Sequence, residues 1–258
     1  MGANTFPEGN GGMARALPRE KISGFVLAGG RSKRLGQDKS MLPWLRAEGE
    51  KWIRITLLEH AITRLEDVCD TVSICTDRDD LTCSNVRIRD ALTDSGPLGG
   101  IVAALEQSQT EWNMFLAVDL PLLPVEVLEA LAGRVRHGRL DTDTAHSSSQ
   151  EKIACVLPKA AGLPQPLCGL YHRALARGMR RELLGGNRRV IAALHEAACD
   201  SATMAEFQPG EHAWRIQEWD VVDLASRMKI PSLLQPEEWL LNVNAPEDWR
   251  RAQELMSP

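Results

Sequence analysis

The chain has 258 residues, 43% of them hydrophobic, and a formal net charge of −5 at neutral pH. That is enough apolar sequence for a sizeable core in one or two domains. The acidic balance argues against a general nucleic-acid binder, and no apolar run approaches the roughly 18–20 residues that span a membrane.

Residues 1–20, MGANTFPEGNGGMARALPRE, read as a disordered lead-in. They lack the apolar stretch of a signal peptide, and Phe6 stands where myristoylation requires Ser or Thr. ISGFVLA (22–28) predicts a buried strand that ends in glycines. Residues 51–66 carry Ile53, Leu57, Leu58, Ile62 and Leu65 at helical spacing and predict one helix, with Trp52 on it. Strands are predicted at 71–76 and, from a weaker pattern, at 86–90; a helix at 96–108 has Pro97 in its first turn. A further buried strand is expected at 115–119 and a helix at 125–135. This alternation predicts a mostly parallel sheet covered by helices on both faces. The polar stretch 137–150 reads as a surface loop. Beyond it, KIACVLP and PLCGLYH suggest a strand pair, and 173–194 is helical in character but interrupted by Gly185 and Gly186. Strands are expected again at 215–224 and 239–244, then a closing helix at 245–256.

The six cysteines show no CxxC spacing, which fits reduced thiols of a cytoplasmic protein. The histidines show no HExxH pattern and no nucleophile partner, and the scattered tryptophans read as packing.

The stretch FVLAGGRSKRLGQDKS (25–40) carries the chemistry. It fails the Walker A spacing, because Lys39-Ser40 come two residues late after Gly30 and Gly36. It fails the G-x-G-x-x-G fingerprint because Gly29 and Gly30 are adjacent. What remains is a basic cluster, Arg31, Lys33, Arg34 and Lys39, offset by Asp38, in an acidic protein. It follows a strand that should end at the carboxyl edge of the sheet, where open α/β sheets bind ligands, and adjacent glycines let a ligand approach the backbone. A triphosphate suits such a loop; a solvated basic turn is the alternative.

LAGGRSKRLGQDKSML resembles the signature L-A-G-G-x-S-x-R-M-G-x-D-K of the nucleotidyltransferases that include molybdenum cofactor guanylyltransferases, with Leu35 in place of methionine. In chain order, RDALTDSGPLGGI (89–101) is similar to that family's acidic residue followed by G-P-L-x-G, and AVDLPLL (117–123) to its C-D-M-P segment. PQPLCGLYHRAL (164–175) resembles its Q-P-L-x-A-L-Y strand, GNRRV (186–190) its basic turn, and LNVNAPEDW (241–249) its N-V-N-T-P-E segment. The resemblance implies an α/β, Rossmann-like, three-layer α/β/α fold with a mostly parallel central sheet. It would form a single domain over 21–258, with a nucleotide-binding half at about 21–136 and an acceptor-binding half at about 150–258.

The activity implied is Mg2+-dependent transfer of GMP from GTP to the terminal phosphate of molybdopterin, with pyrophosphate leaving. Lys39 and Arg34 would hold the triphosphate; surface ion pairs are their alternative role. Asp119, at a strand end before Pro121, would bind Mg2+, or else cap the following turn. Leu27, Ala28, Gly29 and Gly30 would line the GTP. Asp90 would accept from the ribose or the base edge; as a plain loop cap it competes with Asp94, the better-placed helix cap. Asn242 and Asn244 would face the pterin, although Asn244-Ala-Pro-Glu247 is itself close to a capping box. Arg188 and Arg189 are set between the acceptor phosphate and solvent. The family analogy adds a partner protein that delivers molybdopterin.

Two rivals stay open: a cytidylyltransferase or other small-molecule nucleotidyltransferase, and a GTP-binding regulator without turnover. The chain is longer than the family pattern suggests, mainly at 1–20, 45–51, 137–150 and 199–240.

Overall fold

The computed structural model describes residues 19–29, 38–49, 51–81, 83–90, 92, 94–136, 152–200, 214–230, 232 and 234–256. Residues 1–18, the stretch 30–37 with Gly30 and Arg34, and the loop expected at 137–150 lie outside them.

Strand β1 (Ile22–Leu27) is buried along its whole length. Its side chains alternate between two cores: Ile22 and Val26 pack into one, Phe25 and Leu27 into the other. It pairs in parallel with β4 (Thr71–Cys75) on one side and β6 (Trp112–Ala117) on the other, and β5 (Val86–Ile88) extends the sheet beyond β4. On the far side of β6 come β9 (Cys168–His172), β7 (Lys152–Ala160) and β10 (Trp214–Asp220), giving the order β10-β7-β9-β6-β1-β4-β5 among the described residues. The short β8 (Leu163–Pro164) pairs back onto β7. The sheet stops being parallel at β9, which runs antiparallel to both β6 and β7, while β10 is again parallel to β7.

Helices α1 (Leu57–Glu66) and α3 (Val125–Arg136) pack their apolar stripes on one face, joined there by α6 (Val221–Met228). On the other face lie α2 (Gly96–Gln107), α4 (Leu175–Leu184) and α5 (Val190–Cys199). Helix α7 (Pro246–Met256) contributes Ala252 to a third, smaller core described below. The two-faced α/β/α layering is as expected. So is most of the alternation, because strands buried on both faces read as continuous apolar runs.

Three expectations fail. Residues 51–66 are not one helix: β3 (Lys51–Thr56) forms a hairpin with β2 (Pro43–Glu48), turning at Gly49 with φ +61°, and α1 starts at Leu57. The β-branched run Ile53, Ile55 and Thr56 favours the strand. Thr56 and Glu59 then form a reciprocal capping box, with Glu59 N donating to Thr56 Oγ1 at 3.1 Å and Thr56 N to Glu59 Oε2 at 2.7 Å. Such a cap contributes about 1 kcal/mol and sets the boundary. Trp52 is therefore a strand residue and 52% exposed, not part of an amphipathic helix. Residues 215–224 split into β10 and α6, with Asp220 capping the helix by accepting from Val222 N at 3.0 Å. Residues 239–244 form no strand. Pro236–Leu240 is a 3-10 turn, after which Val243 N donates to the Asp119 carbonyl at 2.9 Å. Part of the segment that looked surplus is thus the sheet's edge strand and a core helix.

Candidate active site

In order along the sheet, β5, β4, β1 and β6 all point their carboxyl ends the same way, and β1 lies between strands reached in opposite directions. That is a topological switch point, the place where open α/β sheets leave a crevice. Asp90 lies two residues past β5, Asp77 two past β4, Gly29 two past β1 and Asp119 two past β6. The sequence places them on one edge because each follows its strand by the same short step.

The ladder ends at Leu27 and Ala28: Leu27 O accepts from Val118 N at 3.3 Å, and Ala28 N donates to Cys75 O at 3.1 Å. Both residues are buried, whereas no described atom lies within 4 Å of where a Cβ on Gly29 would stand. Among the described residues, the space beside Gly29 is therefore open.

Lys39 opens a 3-10 turn, Lys39–Met41, capped by Asp38 through Ser40 N at 3.1 Å. Its Nζ donates to Asp119 Oδ2 at 3.1 Å and to Asn244 Oδ1 at 2.7 Å. Lys39 and Asp119 side chains are only 15% and 14% exposed, so this ion pair is far less screened than a surface one. The other Asp119 oxygen, Oδ1, is buried with no hydrogen-bond partner among the described residues. A hard divalent cation needs such an anionic oxygen, completing its shell with phosphate oxygens and water. The residues present therefore fit a magnesium ion at Asp119. Among the described residues no group of three or more His, Cys, Asp or Glu side chains could hold a metal alone.

Asn244 is available to Lys39 because it does not cap the following helix. The capping box expected between Asn244 and Glu247 does not form. Asp248 instead accepts from Asn244 N at 2.9 Å and Ala245 N at 2.8 Å, which shifts the α7 cap one residue on. Asn242 is half-buried and donates to Leu240 O at 3.2 Å.

Asp90 closes the other end of the edge. Its N–H donates to Asp77 Oδ1 at 3.0 Å, and its Oδ2 accepts from Ser95 Oγ at 3.1 Å. Partial burial, followed by the nearby Asp77 charge, pushes its carboxyl up to about 6, against a smaller pull down from Ser95. The cap of α2 is Ser95, not Asp94, which takes φ +55° in the turn before it. Ser95 does not cap through its side chain either, since its hydroxyl points back to Asp90 and to Leu92 O. Gly99 and Gly100 are small for the same reason. A Cβ on Gly99 would stand 1.7 Å from Ser95 Oγ, and one on Gly100 3.3 Å from both Asp90 Oδ1 and Cys75 Cβ.

Between the two ends runs Arg78, just past Asp77. It pairs with Asp38 beside Lys39 and with Asp80. These contacts raise its already high pKa further, the Asp80 and Asp38 hydrogen bonds first. The edge is thus a continuous polar chain from Ser95 and Asp90 through Asp77, Arg78 and Asp38 to Lys39, Asp119 and Asn244.

Arg188 and Arg189 stand apart on the α4–α5 connection. Arg188 Nη1 donates to Leu183 O at 2.8 Å and Asn187 O at 3.2 Å, closing the end of α4. Arg189 is exposed at the start of α5.

Sequence reasoning passed over Asp77, Arg78 and Asp248, each a charged residue two or three positions from a strand or helix end. It also passed over His60 and Arg64. The signal for these was two polar residues four apart on the otherwise apolar face of α1, among Leu57, Ala61 and Leu65.

Relatives carry related names. A protein from Carboxydothermus hydrogenoformans called "Probable molybdenum cofactor guanylyltransferase" is 27% identical over 239 residues, covering 92% of this chain and 98% of that protein. A "Molybdenum cofactor guanylyltransferase" from Haemophilus influenzae is 29% identical over 180 residues, 68% of this chain and 83% of that protein. Among solved structures, molybdopterin-guanine dinucleotide biosynthesis protein A from Archaeoglobus fulgidus has the same fold, with a TM-score of 0.61 at 20% identity over 90% of this chain and 97% of that one. Residues 24–198, which include most of β1, the Asp90 turn, Asp119 and the antiparallel β9, match the MobA-like NTP transferase domain, and the chain belongs to that family.

Proposed function

We propose that this enzyme transfers GMP from GTP to the terminal phosphate of molybdopterin, releasing pyrophosphate and making the guanine dinucleotide form of the molybdenum cofactor. The observation that carries the reading is the convergence of Lys39, Asp119 and Asn244 at the switch point, an arrangement suited to a triphosphate and a divalent cation. The names of the relatives supply the acceptor and the base.

In this reading an oxygen of the molybdopterin phosphate attacks the α-phosphorus of GTP, and the bond from that phosphorus to the bridging oxygen of pyrophosphate breaks. No enzyme nucleophile is needed; positioning and charge neutralisation suffice. Lys39, whose Nζ already donates to Asp119 and Asn244, brings positive charge to the phosphates, and Arg34 adds a second cation from the signature loop. Mg2+ at Asp119 would supply charge neutralisation on the phosphate oxygens. Leu27, Ala28, Gly29 and Gly30 are assigned to the GTP, and at Gly29 the lack of a side chain leaves room for the nucleotide to approach the backbone. Asp90, with two acceptor oxygens, takes the ribose hydroxyls. On the acceptor side Asn244 lies in the cluster itself. Asn242 supports that segment, and Arg189 is better placed than the self-engaged Arg188 to meet the phosphate of molybdopterin. The six thiols, free of disulfides, suit a reducing cytoplasm.

The test is pyrophosphate release from GTP, CTP or ATP with Mg2+, with and without molybdopterin, in wild type and Asp119→Ala. Release that needs GTP and molybdopterin and falls at least about 100-fold in the variant is the expected outcome. Release with CTP in place of GTP would reassign the base. GTP binding without release under any condition would overturn the enzyme reading.

A further inference from the structure

Behind the Asp119 turn lies a polar group with no part in the reaction as described. Arg64, on the inward face of α1, donates from Nη1 to the Pro121 carbonyl at 3.3 Å, two residues after Asp119. His60, one turn earlier, sets Nε2 3.1 Å from the same carbonyl and 3.1 Å from Arg64 Nη1. Burial and the Arg64 charge push the His60 imidazole down to about 3, so it is neutral under ordinary conditions. Burial brings Arg64 down to about 10, which leaves it a cation.

Among the described residues this cation has no carboxylate at ion-pair distance. Arg64 Nε and His60 Nδ1 are both shielded from solvent and meet no hydrogen-bond partner among the described residues. Arg64 is half-buried, and holding a charge there without an ion-pair partner is costly, so that an apolar side chain of similar volume is often more stable. The neighbours are Leu57, Ala61 and Leu65, a face on which leucine or methionine would fit without that cost. The contact that offsets the cost is the carbonyl of the turn that presents Asp119.

The same group reaches the other segments of the site. Trp44, four residues after Ser40, lies tilted against His60 with centroids 5.6 Å apart and against Trp249 of α7 at 5.8 Å. His60 and Trp44 thus tie the Asp119 turn to the strand that follows Lys39 and to the helix that follows Asn244.

We propose that Arg64, with His60, is a positioning residue. It holds the Pro121 carbonyl, and through it the orientation of the Asp119 carboxylate toward Lys39 and toward the cation site. The proposal rests on the reading of Asp119 as the carboxylate that meets magnesium and phosphate.

The test compares full-length wild type with Arg64→Met, Arg64→Lys and His60→Gln in three measurements: thermal melting, steady-state pyrophosphate release, and GTP affinity by calorimetry with and without Mg2+. A residue acting behind a metal-binding carboxylate is expected to change activity or metal affinity about 10–100-fold. Arg64→Met should therefore melt at or above the wild-type temperature and lose kcat by that factor, with a change in KM for GTP of less than about threefold. The gain in GTP affinity that Mg2+ confers should shrink in parallel, and Arg64→Lys, which keeps the charge and one donor, should recover part of both. A variant series that alters melting but keeps wild-type kcat and the wild-type magnesium effect would overturn the proposal and leave Arg64 a packing residue. If Arg64→Met does not fold, Arg64→Lys and His60→Gln decide on the same readouts. Wild-type protein that binds magnesium and GTP but never releases pyrophosphate would sink the proposed function and not this inference, because the magnesium effect on affinity is still measurable.

Discussion

Asp90 and Asp119 are both aspartates two residues past a parallel strand, yet their neighbours set them to different work. Asp119 meets a cation at 3.1 Å, whereas Asp90 meets burial and a second carboxylate. With its carboxyl raised to about 6, Asp90 is ionised above that pH and loses its charge as pH falls through it. The wild-type KM for GTP is therefore expected to rise below about pH 6. In Asp90→Asn it should be higher at neutral pH and flat across that range. Stability moves the other way. The folded chain holds this proton more tightly than the unfolded chain, whose Asp titrates near 3.8, so the unliganded protein gains stability as pH drops from above 6 toward 4. Asp90→Asn should accordingly melt higher than wild type at pH 8, with the difference narrowing at pH 4. Thermal melts at the two pH values check this.

Two helix glycines that look alike in the sequence do different jobs. A Cβ on Gly99 in α2 would strike Ser95 Oγ at 1.7 Å and stand 2.9 Å from Asp90 Oδ2, while one on Gly178 in α4 would meet Ala197 Cβ of α5 at 2.7 Å. Overpacking of either kind costs about 1–3 kcal/mol. Gly99→Ala is expected to lower the melting temperature and to raise the KM for GTP, since Ser95 must leave Asp90. Gly178→Ala should lower melting by a similar amount and leave kcat and KM unchanged. Melting and steady-state kinetics on the pair separate site glycine from packing glycine. Legibility at this scale follows the range of the interaction. The β1 run and its glycines, the α2 start at Gly96-Pro97 and the closing helix were readable because each is fixed by a few adjacent residues. The 51–66 boundary was also legible, as Thr56-Leu57-Leu58-Glu59 spells a capping box, but helical spacing of the apolar residues overrode it. The 239–244 segment defeated local reading because its extended shape comes from a distant partner, the Asp119 carbonyl.

Across the molecule, the two large cores hold the sheet between its helices, and a third holds the site. Leu42, Trp44, Leu57, Leu122, Val243 and Ala252 pack together, joined by the partly buried Trp249. Leu42 follows Lys39, Leu122 follows Asp119 and Val243 precedes Asn244, so the three side chains of the cluster are anchored in one small apolar body. Lys39, Asp119 and Asn244 could each be singled out from the chain. Their meeting could not, because nothing in the local pattern shows that these leucines, valine and tryptophans share a core. Trp249→Ala is expected to cost about 2 kcal/mol, less than a fully buried tryptophan, and to lower kcat because α7 no longer fixes Asn244. Denaturant unfolding and kcat on the same preparation check both halves.

The bond from Lys39 to Asn244 spans 205 positions of chain. At a synthesis rate of about 5–20 residues per second, Asn244 leaves the ribosome roughly 10–40 s after the lysine it will hold. Through that interval the nascent protein can already have paired β1, β4 and β6 and folded around them, before Asn244 is available to the lysine. The contact between Lys39 and Asn244 is therefore made only after α7 has docked and Trp249 has closed on Trp44. A chain stalled before that point would hold Lys39 and Asp119 without the Asn244 contact.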